Sequence, residues 1–232
     1  MPTVLITGAN RGLGLEYVRQ YYKLGWNVIA CTRKPDTPEL RKLDQQRLRI
    51  VMLDVTDHPA VDALAAELSD VTIDILLNNA GTTGPKGAPE CMEYSGVDNM
   101  DYDIWRETLE VNLLGAFKVA TAFRSHLAKA DKGMLVNMSS DLGSMAQNTM
   151  GNMYSYRGSK TALNMVTKGF ANDCPEFITL SMAPGWCRTE LGGRGAEIDP
   201  AASVADQINT LTKVTQDQSG SFIDRFGEPV SW

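Results

Sequence analysis

The chain has 232 residues, 43% of them hydrophobic and 22% charged, with a formal net charge of −6. That length and balance suit one globular domain spanning 1–232 and argue against a surface that binds nucleic acid or anionic membrane. No apolar run approaches bilayer-spanning length, and MPTVLITGAN reads as a buried strand, not a secretion signal, so a cytoplasmic protein is expected.

The first apolar run, TVLIT at 3–7, has strand length and leads into TGANRGLG at 7–14. Gly8, Gly12 and Gly14 are spaced G-x3-G-x-G around Asn10, Arg11 and Leu13. Glycines at a strand-to-helix turn let a pyrophosphate approach the backbone. The helix that follows aims its free N–H groups and positive dipole end at that anion. An ordinary strand-to-helix turn is the alternative; three glycines ahead of a helical pattern at 14–24 favour the nucleotide site about fivefold. The second run, WNVIAC at 26–31, ends at Thr32 and Arg33 with no carboxylate before Asp36. A ribose with a free 2′-hydroxyl usually meets an acid there. Arg33 and Arg11 instead suit a 2′-phosphate, unless they are simply solvated.

Further strand-length runs are LRIVML at 48–53, IDILLN at 73–78, GMLVNM at 133–138, FITLSM at 177–182 and SGSFID at 219–224. Helical spacing fills 58–69 and 101–129 between them. Strands apolar throughout, alternating with helices, predict an α/β fold: a doubly wound, seven-stranded parallel sheet of Rossmann type. Within 101–129, Trp105, Leu109, Asn112, Ala116, Val119 and Phe123 follow helical spacing, so a carboxamide interrupts a mostly apolar stripe. A buried amide must find partners, and a bond between helices is the simplest account. Residues 80–100 and 185–200 are long and glycine-rich for connections, and read as lids or binding loops, with disordered surface loops as the alternative.

MYSYRGSK at 153–160 gathers several proton carriers. On a helix, Tyr156 and Lys160 share a face, whereas Tyr154 meets only Gly158 at that spacing. A phenol beside an ammonium is a candidate proton donor with a lowered pKa. Seven tyrosines and ten lysines in this length give roughly 0.3 such pairs by chance, so the pair alone is weak. Cys31, Cys91, Cys174 and Cys187 lack CxxC spacing and read as free thiols. With His58 and His126, expected at the surface, they form no metal-binding pattern.

Seven motifs in order supply the missing company: TGANRGLG (7–14), LDV (53–55), NNAG (78–81), VNLLG (111–115), VNMSS (136–140), YRGSK (156–160) and PGWCRT (184–189). Over nearly its whole length the chain resembles the short-chain dehydrogenase/reductase family, most like the carbonyl-reductase branch containing C-factor and sniffer-type proteins. The resemblance implies that Tyr156 gives a proton to a substrate carbonyl oxygen, while Lys160 holds the nicotinamide ribose and lowers the phenol's pKa. It implies that Ser140 hydrogen-bonds the substrate oxygen, that Ser139 is structural, and that Asn112 completes a water-linked proton path to Lys160. For the cofactor it implies that Asp54 and Val55 meet the adenine and that Asn79, Ala80 and Gly81 form the turn beneath the adenosine ribose. Pro184 and Gly185 would wall the nicotinamide, with the Cys187 backbone and Thr189 at its carboxamide. Trp186 would line the substrate pocket or pack as core.

One departure stands out. Ser140 and Tyr156 are sixteen positions apart, against thirteen in many members, and the extra residues fall in SMAQNTMGNM, which can bulge without moving either end. The implied activity is an NADPH-dependent carbonyl reductase acting on a small-molecule aldehyde, ketone or quinone, as a homodimer pairing the helices of Asn112 and Tyr156. A protein that senses NADP or binds a partner with little turnover is the alternative. An intact Asn112, Ser140, Tyr156 and Lys160 argues against it. Arg33 without an acid at position 32 disfavours a third reading, an NAD-linked alcohol dehydrogenase.

Overall fold

A computed structural model describes residues 1–43 and 46–232. Seven strands form one parallel sheet: β1 (Thr3–Thr7), β2 (Asn27–Thr32), β3 (Leu48–Met52), β4 (Ile75–Asn78), β5 (Met134–Met138), β6 (Ile178–Ala183) and β7 (Ser221–Asp224). Their spatial order is β3-β2-β1-β4-β5-β6-β7. The order reverses between β1 and β4, and the crevice beyond the carboxyl ends of those strands is where open α/β sheets bind ligands.

The helices are α1 (Gly12–Lys23), a short α2 (Pro38–Arg41), α3 (His58–Glu67), α4 (Tyr102–Leu109), α5 (Ala116–Leu127), α6 (Tyr154–Asp173) and α7 (Pro200–Lys213). Strand alternation divides the core in two. Val4 and Ile6 face Leu15, Val18 and Tyr21 of α1 and Val204, Ile208 and Leu211 of α7. Leu5, Leu76 and Leu135 face Val61 and Leu64 of α3, Val119 and Phe123 of α5, and Phe170 of α6. Both faces of the central strands are therefore covered, which is why those strands are apolar throughout. Among the described residues no helix is long and apolar enough to cross a membrane.

The helical pattern at 101–129 is one rod with a wide turn inside it. Glu110–Gly115, between α4 and α5, takes π-helical pitch. Such single wide turns recur at functional sites, and this one carries Asn112. His126 corrects the surface expectation: it is buried beside Phe123, with ring centroids 5.0 Å apart, because it lies three residues on along the same inward stripe. All four cysteines are buried and unbridged.

Candidate active site

A cavity of about 810 Å³ lies at the reversal point. Gly8, Asn10, Arg11, Gly12, Leu13 and Gly14 line it from the first turn, and Thr32, Arg33, Asp54 and Val55 from the ends of β2 and β3. Asn79, Ala80 and Gly81 follow β4, and Ser140, Tyr156 and Lys160 form a further wall. Pro184, Gly185, Trp186, Cys187 and Thr189 complete it. Of the site residues expected from sequence, Asn112 alone sits behind the wall; Tyr154, the first residue of α6, is exposed and also lies off the cavity.

Gly8 and Gly12 adopt positive φ, +66° and +54°, the region that favours glycine. A methyl group on Gly14 would run into the Gly8 carbonyl oxygen and Asn79 Nδ2. The turn is braced from β4: Asn79 Nδ2 donates to the Thr7 carbonyl at 2.9 Å, while Thr7 Oγ1 accepts from the Asn79 and Ala80 N–H groups at 3.0 Å each. Arg11, at the N-cap of α1, makes no side-chain cap, and the first turn holds no acid. Asp57, Asp101 and Asp199 by contrast cap α3, α4 and α7. The free N–H groups and dipole end of α1 at a glycine turn thus fit a phosphate.

The two cations at the cavity's edge have acid neighbours that the sequence did not show. Arg33 Nη1 lies 3.8 Å from Asp54 Oδ2, and Arg11 pairs with Glu190. The expectation of arginines without a nearby acid holds only along the β2 segment; folding brings Asp54 from the end of β3 and Glu190 from the loop before α7. All four side chains are well exposed, so each pair is weak and exchangeable. Thr32 is buried, its hydroxyl accepting the Lys34 N–H at 3.0 Å, and offers no charge.

Helix α6 presents Tyr156 and Lys160 together, as their spacing predicts. Ser140 hydrogen-bonds the phenol, yet burial dominates and pushes Tyr156 up to about 12, helped by Cys91 and Asp141. Burial lowers Lys160 to about 8. The expected lowering of the phenol by the lysine is therefore absent in the protein alone. Lys160 Nζ donates to the Met138 carbonyl at 2.7 Å and lies 5.6 Å from the phenol ring centroid, and desolvation prevails. Asn112 is fully buried: Oδ1 accepts the Thr82 N–H at 2.8 Å, and Nδ2 donates to the Thr82 carbonyl and Ser159 Oγ at 2.9 Å each. It makes no direct bond to Lys160, and a methyl group on Gly81 would meet both Asn112 Oδ1 at 3.4 Å and Lys160 Nζ at 3.5 Å.

The two long segments clasp each other across the mouth. The Ala88 N–H donates to the Leu191 carbonyl at 2.9 Å. Trp186 Nε1 donates to the Gly192 carbonyl at 2.7 Å, so this side chain both lines the cavity and braces its loop. Thr189 stands over Gly12, where a methyl group would meet its Cγ2 at 3.3 Å. In the longer stretch between Ser140 and Tyr156, residues 145–150 are exposed, and the stretch is tied to the C-terminus: the Ala146 N–H donates to the Trp232 carbonyl at 2.9 Å and Ser144 Oγ to the Ser231 carbonyl at 2.5 Å.

Several supporting groups escaped the sequence reading. Ser139 Oγ donates to Asn164 Oδ1 at 2.6 Å, which accords with a structural Ser139 and adds Asn164. Tyr17, Gln207 and Ser203 form a buried chain ending on the Pro184 carbonyl, with links of 2.5, 3.0 and 2.7 Å. Polar residues at inward helical positions were the only available signal for Gln207 and Ser203, and Glu190 had none.

Comparison with known proteins follows the same lines. Residues 2–197 match the short chain dehydrogenase family model. C-signal of Myxococcus xanthus is 32% identical over 73% of this chain and 99% of its own. The carbonyl reductase Sniffer of D. melanogaster superposes with a TM-score of 0.90 at 31% identity over the full length of both chains. An NADPH-bound carbonyl reductase from chicken fatty liver gives 0.89 at 29% identity, covering 100% of this chain and 99% of its own. With its glycine turn, its parallel sheet and its Tyr–Lys pair on α6, the chain belongs to the short-chain dehydrogenase/reductase family, in the carbonyl-reductase branch.

Proposed function

We propose that this protein is an NADPH-dependent carbonyl reductase acting on a small-molecule aldehyde, ketone or quinone. One observation carries the proposal: Ser140, Tyr156 and Lys160 share a cavity with a glycine turn whose helix end is left open to an anion. The nicotinamide, when bound, supplies the hydride. Ser140 and Tyr156 hold the carbonyl oxygen between two hydroxyls, and Tyr156 gives it a proton. With burial holding Tyr156 up at about 12, the phenol carries its proton at neutral pH and has one to give. Lys160 would hold the nicotinamide ribose. Asn112 positions Thr82 and Ser159 and backs a water-linked proton route past Gly81 to Lys160.

Arg11 and Arg33 would exchange their exposed acid neighbours for a 2′-phosphate, a stronger charge-assisted partner. The NADPH carried by the chicken carbonyl reductase supports the same cofactor here.

Tyr156→Phe tests the assignment. It is expected to cut carbonyl reduction by roughly 10²–10⁴-fold while NADPH still binds, with Tyr154→Phe keeping most of the activity. Near-normal turnover by Tyr156→Phe would remove the proton donor from the mechanism.

A further inference from the structure

Arg157 follows Tyr156 on α6 and lines the same cavity. Its Nε donates to the Asn152 carbonyl at 3.1 Å, and its terminal nitrogens make no hydrogen bond among the described residues. No carboxylate among the described residues lies within ion-pair distance. The other cavity cations are occupied: Arg11 by Glu190, Arg33 by Asp54, and Lys160 by the Met138 carbonyl. Burial alone acts on the Arg157 guanidinium, lowering it from its ordinary value, and no acid pulls it back.

A half-buried cation without a counter-ion is poorly compensated, and a ligand anion would complete it. The backbone that holds Arg157 is itself strained. Gly151, Asn152 and Met153 run in succession through left-handed φ values of +64°, +58° and +50°, and the last two lack glycine's freedom. That kink delivers the Asn152 carbonyl to Nε and leaves the forked end of the guanidinium for something else. Met92, Leu142 and Met153 pack in one apolar cluster with the neighbouring Tyr156, and Pro89 and Met150 also line the cavity, together with the acidic Asp141 and Glu107. A planar fork matches a carboxylate with two parallel hydrogen bonds.

We propose that Arg157 is the anion-recognising residue of the substrate pocket, and that the preferred substrate is a carbonyl compound bearing a carboxylate on an otherwise apolar body. The substrate class rests on the carbonyl-reductase reading, whereas the anion site does not.

The test therefore has two arms. In the first, 4-formylbenzoate and its methyl ester are compared as NADPH-linked substrates for the unmodified protein, Arg157→Met and Arg157→Lys. The unmodified protein should favour the acid at least about tenfold in kcat/KM, Arg157→Met should bring the ratio close to one, and Arg157→Lys should keep part of it. In the second, benzoate and benzamide binding to the cofactor-free protein are measured by calorimetry, with the benzoate preference lost in Arg157→Met. If neither aldehyde is reduced but benzoate binding depends on Arg157, the proposed substrate class falls and the anion site stands. An ester reduced as well as the acid, a ratio unmoved by Arg157→Met, or benzoate and benzamide binding alike overturns the proposal.

Discussion

Tyr156 and Lys160 were legible as a pair because helical spacing is a local property, but their electrostatics were not. Burial sets both, raising the phenol to about 12 and lowering the ammonium to about 8, and the charges of Cys91 and Asp141, which add to the rise of the phenol, arrive from elsewhere in the chain. A pH prediction follows. Below about pH 8 Lys160 carries its charge; above it the charge is lost, while Tyr156 stays protonated. NADPH affinity should thus weaken as pH rises through about 8 in the unmodified protein and in Tyr156→Phe, but not in Lys160→Met. Fluorescence titrations across this range would decide it, and a Tyr156→Phe protein without the alkaline limb would make the phenol the titrating group. Arg11 and Arg33 were equally legible as cations, and Glu190 and Asp54 were hidden because they are distant in sequence. Removing the competitor, Glu190→Gln should tighten NADPH by about two- to fivefold while leaving NADH affinity nearly as it was. Equal effects on both cofactors would mean that Arg11 does not serve the 2′-phosphate.

Elements were read with small errors because their periodicities are strong. All seven strands appear where apolar runs place them, and the expected rod at 101–129 forms, interrupted by a π-helical turn. The wide turn left no trace in the spacing, since Asn112 still falls on the buried stripe; what it changes is the aim of the carboxamide, toward Thr82 and Ser159. The turn before α1 leaves no room for a side chain at Gly14. Gly14→Ala should weaken NADPH binding at least tenfold and lower the melting temperature, because the added methyl would have to displace the Gly8 carbonyl and Asn79. Unchanged affinity in a calorimetric titration would show that the turn does not cradle the pyrophosphate. The 185–200 segment was expected to be a lid, and it carries its own bracing through Trp186, Thr189 and the Arg188–Asp199 pair. It should move as a unit, so hydrogen exchange should slow across 186–193 together when NADPH binds, and equal protection in both states would mark it as a static wall.

For the whole molecule, the alternation of apolar runs and helices was enough to predict the sheet, since covering both faces leaves few arrangements. Assembly is different, because an exposed apolar side chain at a helical position does not announce what covers it. Leu114, Phe117 and Met165 are 45%, 45% and 67% exposed on the π-helical turn, α5 and α6. The homodimer implied by resemblance would cover them, so sedimentation should report a dimer that Phe117→Glu with Met165→Glu converts to monomers. A monomeric unmodified protein would remove that expectation without touching the site.

The central proposal is NADPH-linked carbonyl reduction in this cavity, and one measurement addresses it directly. A panel of aldehydes, ketones and quinones would be mixed with the protein, following the absorbance of NADPH and NADH in parallel. Carbonyl-dependent loss of NADPH is expected for at least one class, with kcat/KM for NADPH exceeding that for NADH by at least about tenfold, the equivalent of one charge-assisted hydrogen bond to the 2′-phosphate. Oxidation of NADH at equal or greater efficiency, or no carbonyl-dependent oxidation of either cofactor, would contradict it.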